Sequence, residues 1–391
     1  MRAAVGAALA LCLWAGAAAA QAVAADPNQE IFLAGVRAMA QGDYGRAIGV
    51  LGALADRTGE PRVRLEFARA LYLNGDYRQA RSEFLKVYRL RNLPYRVRRT
   101  INVFLADIDQ RIGYFEPSVG VELNSNPGQI AASGTYQVLG VPLQFERGRD
   151  ARAAGLALQA AGAAPLSERL SLVGSAGATL YSAPGVSFAQ ASAALRRSTR
   201  DRLGWTAIGA NLYSRDRNQT VVGLYLEGAR RFPMADDREL SIHGSVTRLE
   251  VTPDRALSGL AVQGDVGYAL DLGRDTALKL GVGASYASAR YKADRRWNGA
   301  AAAQVIRAFP RLNKVLTLSL AGSVTEFGAV DPFFGVRRRD LQSTVEVRIL
   351  NGTPIHGLFP GVSVTYDRRD SSIPFYSYSR QFFAFDLRRR F

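Results

Sequence analysis

The sequence predicts an α plus membrane-β chain: a short helical repeat domain followed by a 14-stranded transmembrane antiparallel β-barrel. Three observations carry this. Apolar residues recur at helical spacing up to about residue 112 and alternate strictly from Tyr114 onward. The alternating segments commonly run 12 to 15 residues, whereas strands of soluble domains average about 5–6. No window after residue 25 holds the roughly 18 consecutive apolar residues that a membrane-crossing helix needs, so any crossing falls to strands.

Composition bounds the alternatives. Of 391 residues, 48% are hydrophobic and 21% charged, which excludes a disordered chain. Residues 1–24 read as an export signal. Arg2 gives the positive start, Ala3 to Ala20 the apolar stretch, and Ala18-Ala19-Ala20 or Ala22-Val23-Ala24 the small-residue cleavage site. Cleavage removes Cys12, the one cysteine, leaving no disulfide and no thiolate chemistry. The net charge of +16 invites a nucleic-acid partner, but the export signal argues against one.

The helical domain covers residues 25–112 and contains an internal repeat. Gly42-Asp43-Tyr44 recurs as Gly75-Asp76-Tyr77, a period of 33, with Ala47 matched by Ala80 and Leu51 by Phe84. The spacing resembles the tetratricopeptide repeat, a pair of antiparallel helices about 34 residues long. Glycine ends a helix, tyrosine packs in the turn, and alanine lets two helices approach. Ile31 and Arg64 stand where such repeats place a bulky residue. Two repeats cannot cover both their outer faces. A cap is expected from residues 95–112, where Val97, Ile101, Phe104, Leu105 and Ile108 follow Leu93-Pro94 at helical spacing.

The barrel covers residues 113–391. Leu341, Ser343, Val345, Val347 and Ile349 alternate with polar Gln342, Thr344, Glu346 and Arg348, and the same pattern runs through 240–246, 260–268 and 278–286. One apolar and one polar face is the pattern of a sheet between lipid and water. Strands are expected at 115–124, 152–163, 169–182, 186–197, 202–214, 219–232, 239–252, 257–271, 275–291, 296–308, 313–327, 339–350, 357–368 and 374–391. Their even number puts both ends on one side, expected to be the periplasm, together with the turns at Phe232-Pro233, Leu272-Gly273-Arg274-Asp275 and Phe309-Pro310. The long connections 125–151, 328–338 and 369–373 fall on the other side. Phe383, Phe385, Leu387 and Phe391 share one face of the last strand, with Arg389 out of pattern. A terminal aromatic on such a strand resembles the signal that the barrel assembly machinery reads.

Charge and chemistry narrow the function. Arg215, Arg217, Arg255, Arg295, Arg296, Arg337, Arg338, Arg339, Arg368 and Arg369 lie in or beside the expected outer loops, where guanidinium groups suit the phosphates of outer-membrane lipids. The inward charges are mixed: Glu122, Glu227, Asp265, Lys279, Glu346, Arg348 and Asp386. Of two histidines, His243 faces the lumen between Ser241 and Ser245, and His356 lies in a turn. Same-strand neighbours two residues apart make no positioned nucleophile and base. Gly281-Val282-Gly283 lacks the third glycine of a dinucleotide loop. No enzyme activity, cofactor or metal is expected.

The sequence around the domain junction resembles the surface lipoprotein assembly modulator (Slam) family. The match lies in Leu93-Pro94-Tyr95-Arg96-Val97, Ile101, Phe104-Leu105, Ile108 and Glu122-Leu123-Asn124-Ser125-Asn126-Pro127, with familiar Phe-Pro turns between strands. The resemblance implies an outer-membrane translocator that delivers a surface lipoprotein or secreted protein. The helical domain then captures cargo in the periplasm on a concave face offering Phe32, Val36 and Met39 from one repeat and Leu65, Arg69 and Tyr72 from the next. The cargo route is either the lumen or the seam between the first and last strands. Two other functions fit the same outline: an exopolysaccharide exporter, and a plain diffusion pore.

Overall fold

A computed structural model describes residues 26–90, 93–147, 152–215, 219–235, 237–273, 275–352 and 354–389. The expected export signal, together with Arg217 and Phe391, lies outside the described residues. The chain forms two compact units, divided between Glu83 and Phe84.

The first unit is built on helices α1 (Pro27–Ala40), α2 (Tyr44–Thr58) and α3 (Pro61–Asn74), with most of α4 (Tyr77–Tyr88). The helix boundaries follow from local chemistry. Asp26 and Asp43 accept hydrogen bonds from the backbone N–H of Asn28 and Arg46, capping α1 and α2. Pro27 and Pro61 open α1 and α3, where a missing N–H costs nothing. The two repeat glycines, Gly42 and Gly75, take φ of 79° and 92°, a region that favours glycine. Ala47, Leu51, Ala68 and Leu71 form the core. A Cβ on Gly35 would stand 2.6 Å from Leu51 Cγ, so α1 and α2 touch through that glycine. The arginine at the usual bulky position has a partner: Arg64 donates to Glu83 at 2.7 Å.

The second unit begins with the last turns of α4 and continues through α5 (Tyr95–Ile112) into the barrel. Phe84 on α4 and Phe104 on α5 stack with ring centroids 4.9 Å apart, which gives the expected cap its hold on α4.

Sixteen strands follow: β1 (Tyr114–Asn124), β2 (Gly134–Val138), β3 (Val141–Phe145), β4 (Ala153–Pro165), β5 (Leu170–Tyr181), β6 (Phe188–Ser198), β7 (Gly204–Arg215), β8 (Gln219–Ala235), β9 (Arg238–Thr252), β10 (Gly259–Gly273), β11 (Thr276–Ala287), β12 (Arg296–Phe309), β13 (Lys314–Val330), β14 (Arg337–Asn351), β15 (Phe359–Ser371) and β16 (Tyr378–Arg388). β1 and β4 to β16 close a ring of fourteen in sequence order, each antiparallel to its neighbours. β2 and β3 make a separate hairpin inside the first loop, in a stretch expected to be plain connection. Each of the fourteen expected windows holds one barrel strand. The window 275–291 overreaches, since β11 stops at Ala287. β16 starts at Tyr378, because Pro374–Tyr376 is a short helical turn that opens on a proline with no N–H for the ladder.

Side chains alternate across this wall. Ile208, Leu224 and Val282 point outward and are 64%, 63% and 60% exposed. Exposed large apolar side chains recur on all fourteen barrel strands, which would be unstable in water and makes the outer surface a lipid-facing one. Closure pairs the backbone groups with no free sheet edge, as a strand assembly in hydrocarbon must. Among the described residues no helix is long and apolar enough to cross a membrane.

β1 starts at the rim that carries the turns 199–203 and 310–313, here termed the near rim, and β16 ends there too. The described loop residues 125–147, 331–336 and 372–377 stand at the far rim.

Candidate functional site

The polar face of every strand lines the lumen. Glu122, Glu227, Asp265, Lys279, Glu346, Arg348 and Asp386 all take inward positions, opposite in phase to the exposed apolar residues of their strands.

Two charged clusters stand on opposite walls. On β14 to β16, Asp367 accepts from Gln342 (2.9 Å), Thr344 (3.1 Å), Tyr378 (3.2 Å) and Arg380 (2.9 Å). Arg338 pairs with Asp340 at 2.7 Å, and Arg348 and Arg388 share Asp386. On β8 to β10, His243 lies 3.1 Å from Asp265 through Nδ1 and 3.5 Å from Glu227 through Nε2. His243 therefore meets carboxylates on the neighbouring strands. β9 and β16 are seven places apart in a ring of fourteen, so the two clusters face each other.

Between them the wall of β10 to β13 is stripped of bulk. Gly267, Gly281, Gly283, Ala300, Ala302 and Ala321 border a lumenal cavity of about 500 Å³, with His243 and Asp265 at one end and Gln342 and Thr344 at the other. Hydroxyl, amide and paired-charge groups here stand beside bare backbone. The inward arginines of β14 and β16 named above are matched to carboxylates, so they give no free run of positive charge.

The loop that leaves β1 is anchored by the Asn124-Ser125-Asn126 segment. Asn126 is fully buried. Its Oδ1 accepts from the Ile130 N–H at 2.9 Å, and its Nδ2 donates to the carbonyls of Ile130 (2.9 Å) and Ser379 (3.3 Å). Glu122 is bonded by the Tyr181 hydroxyl. The β2–β3 hairpin leans on the far-rim loops through Tyr136 and Phe145, whose rings lie 5.3 and 5.5 Å from that of Phe375.

At the near rim α5 meets the barrel at both ends and in its middle. Arg98 donates to Asn313 Oδ1 at 3.0 Å in the β12–β13 turn. Asp107 accepts from Arg202 at 2.8 Å in the β6–β7 turn. A Cβ on Gly113 would fall 2.5 Å from the Ala163 carbonyl of β4. Asn102, Val103, Ala106 and Gln110 of α5 border a cavity of about 540 Å³, with Arg231, Ile306, Ala308 and Val315 of the inner wall opposite. In the same β6–β7 turn, the Thr199 hydroxyl and the Leu203 amide hold the Asp201 carboxyl below the usual range.

The residues expected to catch cargo do not form one surface. Phe32 and Met39 are buried and pack inside the helical unit. They are amphipathic-core positions, and their apolar character made them look like a binding strip. Val36, Leu65, Arg69 and Tyr72 remain half-buried. Phe383, Phe385 and Leu387 lie on the outer face of β16. Two arginines expected to face lipid phosphates, Arg338 and Arg369, point inward instead: Arg338 sits 3.7 Å over the Tyr376 ring, and Arg369 donates to Gln342. Arg215 and Arg337 are also engaged, by the carbonyls of Gly128 and Phe327. Their positions at strand ends concealed this, since one residue of register decides the face. The barrel contacts of α5 have no signature in the sequence, because Arg98, Arg202 and Asn313 share no local pattern that links them.

A family model for the tetratricopeptide repeat matches residues 38–87. No curated protein sequence matches the chain. Among solved structures, the chain is similar to a bacterial polysaccharide outer membrane secretin, with 10% identity, 72% of this chain and 99% of that one covered, and a TM-score of 0.39. It is similar to the outer membrane protein OprD from Pseudomonas aeruginosa at 9% identity, with coverages of 71% and 94% and a TM-score of 0.40. The outer membrane channel DcaP of Acinetobacter baumannii gives 9%, coverages of 71% and 97%, and 0.38. The chain joins a tetratricopeptide-type repeat to a closed fourteen-strand antiparallel barrel.

Proposed function

We propose that this protein is an outer-membrane translocator for a polypeptide cargo, a surface lipoprotein or a secreted protein, and that its helical repeat captures the cargo in the periplasm. The observation that carries the reading is the lumen: a closed, lipid-facing barrel whose inner wall joins neutral polar groups and paired charges to a strip of bare glycine and alanine. An extended peptide is a neutral chain rich in donors and acceptors, and such a wall can satisfy it without holding it. A polyanionic sugar would call instead for a run of unpaired inward arginines; those facing Asp340 and Asp386 are already matched, and Arg196 on β6, whose Nε has no acceptor, stands over Trp205. A tetratricopeptide-type repeat supplies the peptide-binding element that a plain pore does not need. Membership of the Slam family is part of this proposal and rests on the junction residues.

The test is co-expression in intact cells with a candidate lipoprotein encoded by the same organism. Cargo should become accessible to external protease only when this chain is present. Release of an anionic sugar polymer instead supports the exporter. Conductance that is unchanged by deleting residues 28–112, with no cargo exposed, supports a simple pore.

A further inference from the structure

We propose that α5 is a strap across the near mouth of the lumen, fastened to the barrel by Arg202 and Asn313, and that it must lift for material to pass. This rests on the lumenal reading above. The dimensions fit. From Arg98 to Gly113, which abuts Ala163 of β4, α5 spans roughly 22 Å, and the long Arg98 and Arg202 side chains bridge the rest of the way to their turns. Fourteen strands about 4.8 Å apart and tilted by about 40° enclose a backbone ring roughly 28 Å across. The two fastening turns, β6–β7 and β12–β13, are six places apart in a ring of fourteen, nearly opposite one another. A helix tied to both crosses the opening.

The fastenings themselves are unusual. Arg202 and Asn313 both have positive φ, 57° and 48°. Asparagine tolerates that region, but arginine seldom adopts it, so a side chain held there is held against backbone preference. What each gains is a bond to α5: Arg202 to Asp107 at 2.8 Å and Asn313 to Arg98 at 3.0 Å. The Arg202 pair is only partly shielded, with side chains 26% and 23% exposed, which suits a latch that opens. The other side of the strap is bound to α4. The Arg98 guanidinium lies 4.8 Å over the Tyr88 ring, and Phe104 stacks on Phe84.

The test uses the full chain in planar lipid bilayers with potassium chloride as the only probe, in a Cys12→Ser background. Asp107→Cys with Arg202→Cys, joined by a short bis-maleimide, should pass at most one third of the current of the unjoined pair. Arg202→Gly keeps the turn and relieves its backbone while removing the latch, and should raise the time-averaged current at least threefold over wild type. Equal currents in joined, unjoined and Arg202→Gly proteins overturn the strap and leave the pore standing. If none of the proteins passes current, the lumenal route falls and the strap with it.

Discussion

Asp367 on β15 and Arg380 on β16 meet at 2.9 Å inside the barrel wall, and the aspartate is 1% exposed. Three further groups from β14 and β16 donate to the same carboxylate. Asp367→Ala leaves Arg380 and Tyr378 without their acceptor, at a cost of roughly 3–5 kcal/mol. The folded band on an unheated gel should convert to the unfolded position at a clearly lower temperature than in wild type. Asp367→Asn should lie between the two.

The two faces of the wall should answer differently to one added charge. Val282→Arg puts a guanidinium into lipid, at a cost of roughly 2–4 kcal/mol near the bilayer midplane. Ala302→Arg puts it into the lumenal cavity, where water can reach it. Folding yield into vesicles should fall sharply for the first and little for the second. Equal losses would contradict the assignment of the faces.

Asn126 should hold the far-rim loop in place. Asn126→Ala strands the Ile130 N–H and frees the link to Ser379, worth roughly 2 kcal/mol. Limited proteolysis within residues 125–147 should speed up while the barrel itself stays intact.

In the helical unit, Gly35→Ala drives a methyl to within 2.6 Å of Leu51. Leu51 is fully buried and has little room to yield, so the loss should be about 1–3 kcal/mol. Faster hydrogen exchange in α1 and α2, with barrel amides unaffected, is the expected signature.

Burial pushes the Asp294 carboxyl up in the far-rim loop; the Arg296 charge opposes this, and Asp254 and Asp331 add to it. A carboxyl raised in the folded state lends stability at acid pH and loses it as pH climbs through the folded value. Wild type should therefore lose part of its thermal stability between acid and neutral pH. Asp294→Asn should flatten that slope and be the more stable protein at neutral pH.

The barrel is legible in the sequence because a period of two survives in most of its strands, though not in the alanine-rich runs of β4 and β12. Leu278 to Tyr286 reads the same on paper as in the wall. The repeat was legible because Gly42 and Gly75 mark turns that only local chemistry sets. The β2–β3 hairpin was not: its five-residue strands are too short to show a period. Phe32 and Met39 show a second limit. Helical spacing shows which residues share a face, and only packing decides whether that face meets a neighbour or water. The latch of α5 lies at a third limit, since Asp107 and Arg202 are 95 residues apart and Arg98 and Asn313 are 215 apart.

The ring is sealed by a ladder that joins Ser118–Asn124 to Phe382–Arg388, shorter than the Tyr114–Asn124 ladder that β1 makes on its other side. Those partners are the first and the last strands of the ring in chain order. Until β16 meets β1, the other strands stand with a raw edge and an oily back. Such a chain cannot seal itself by halves: all fourteen strands must be in place before the edges vanish.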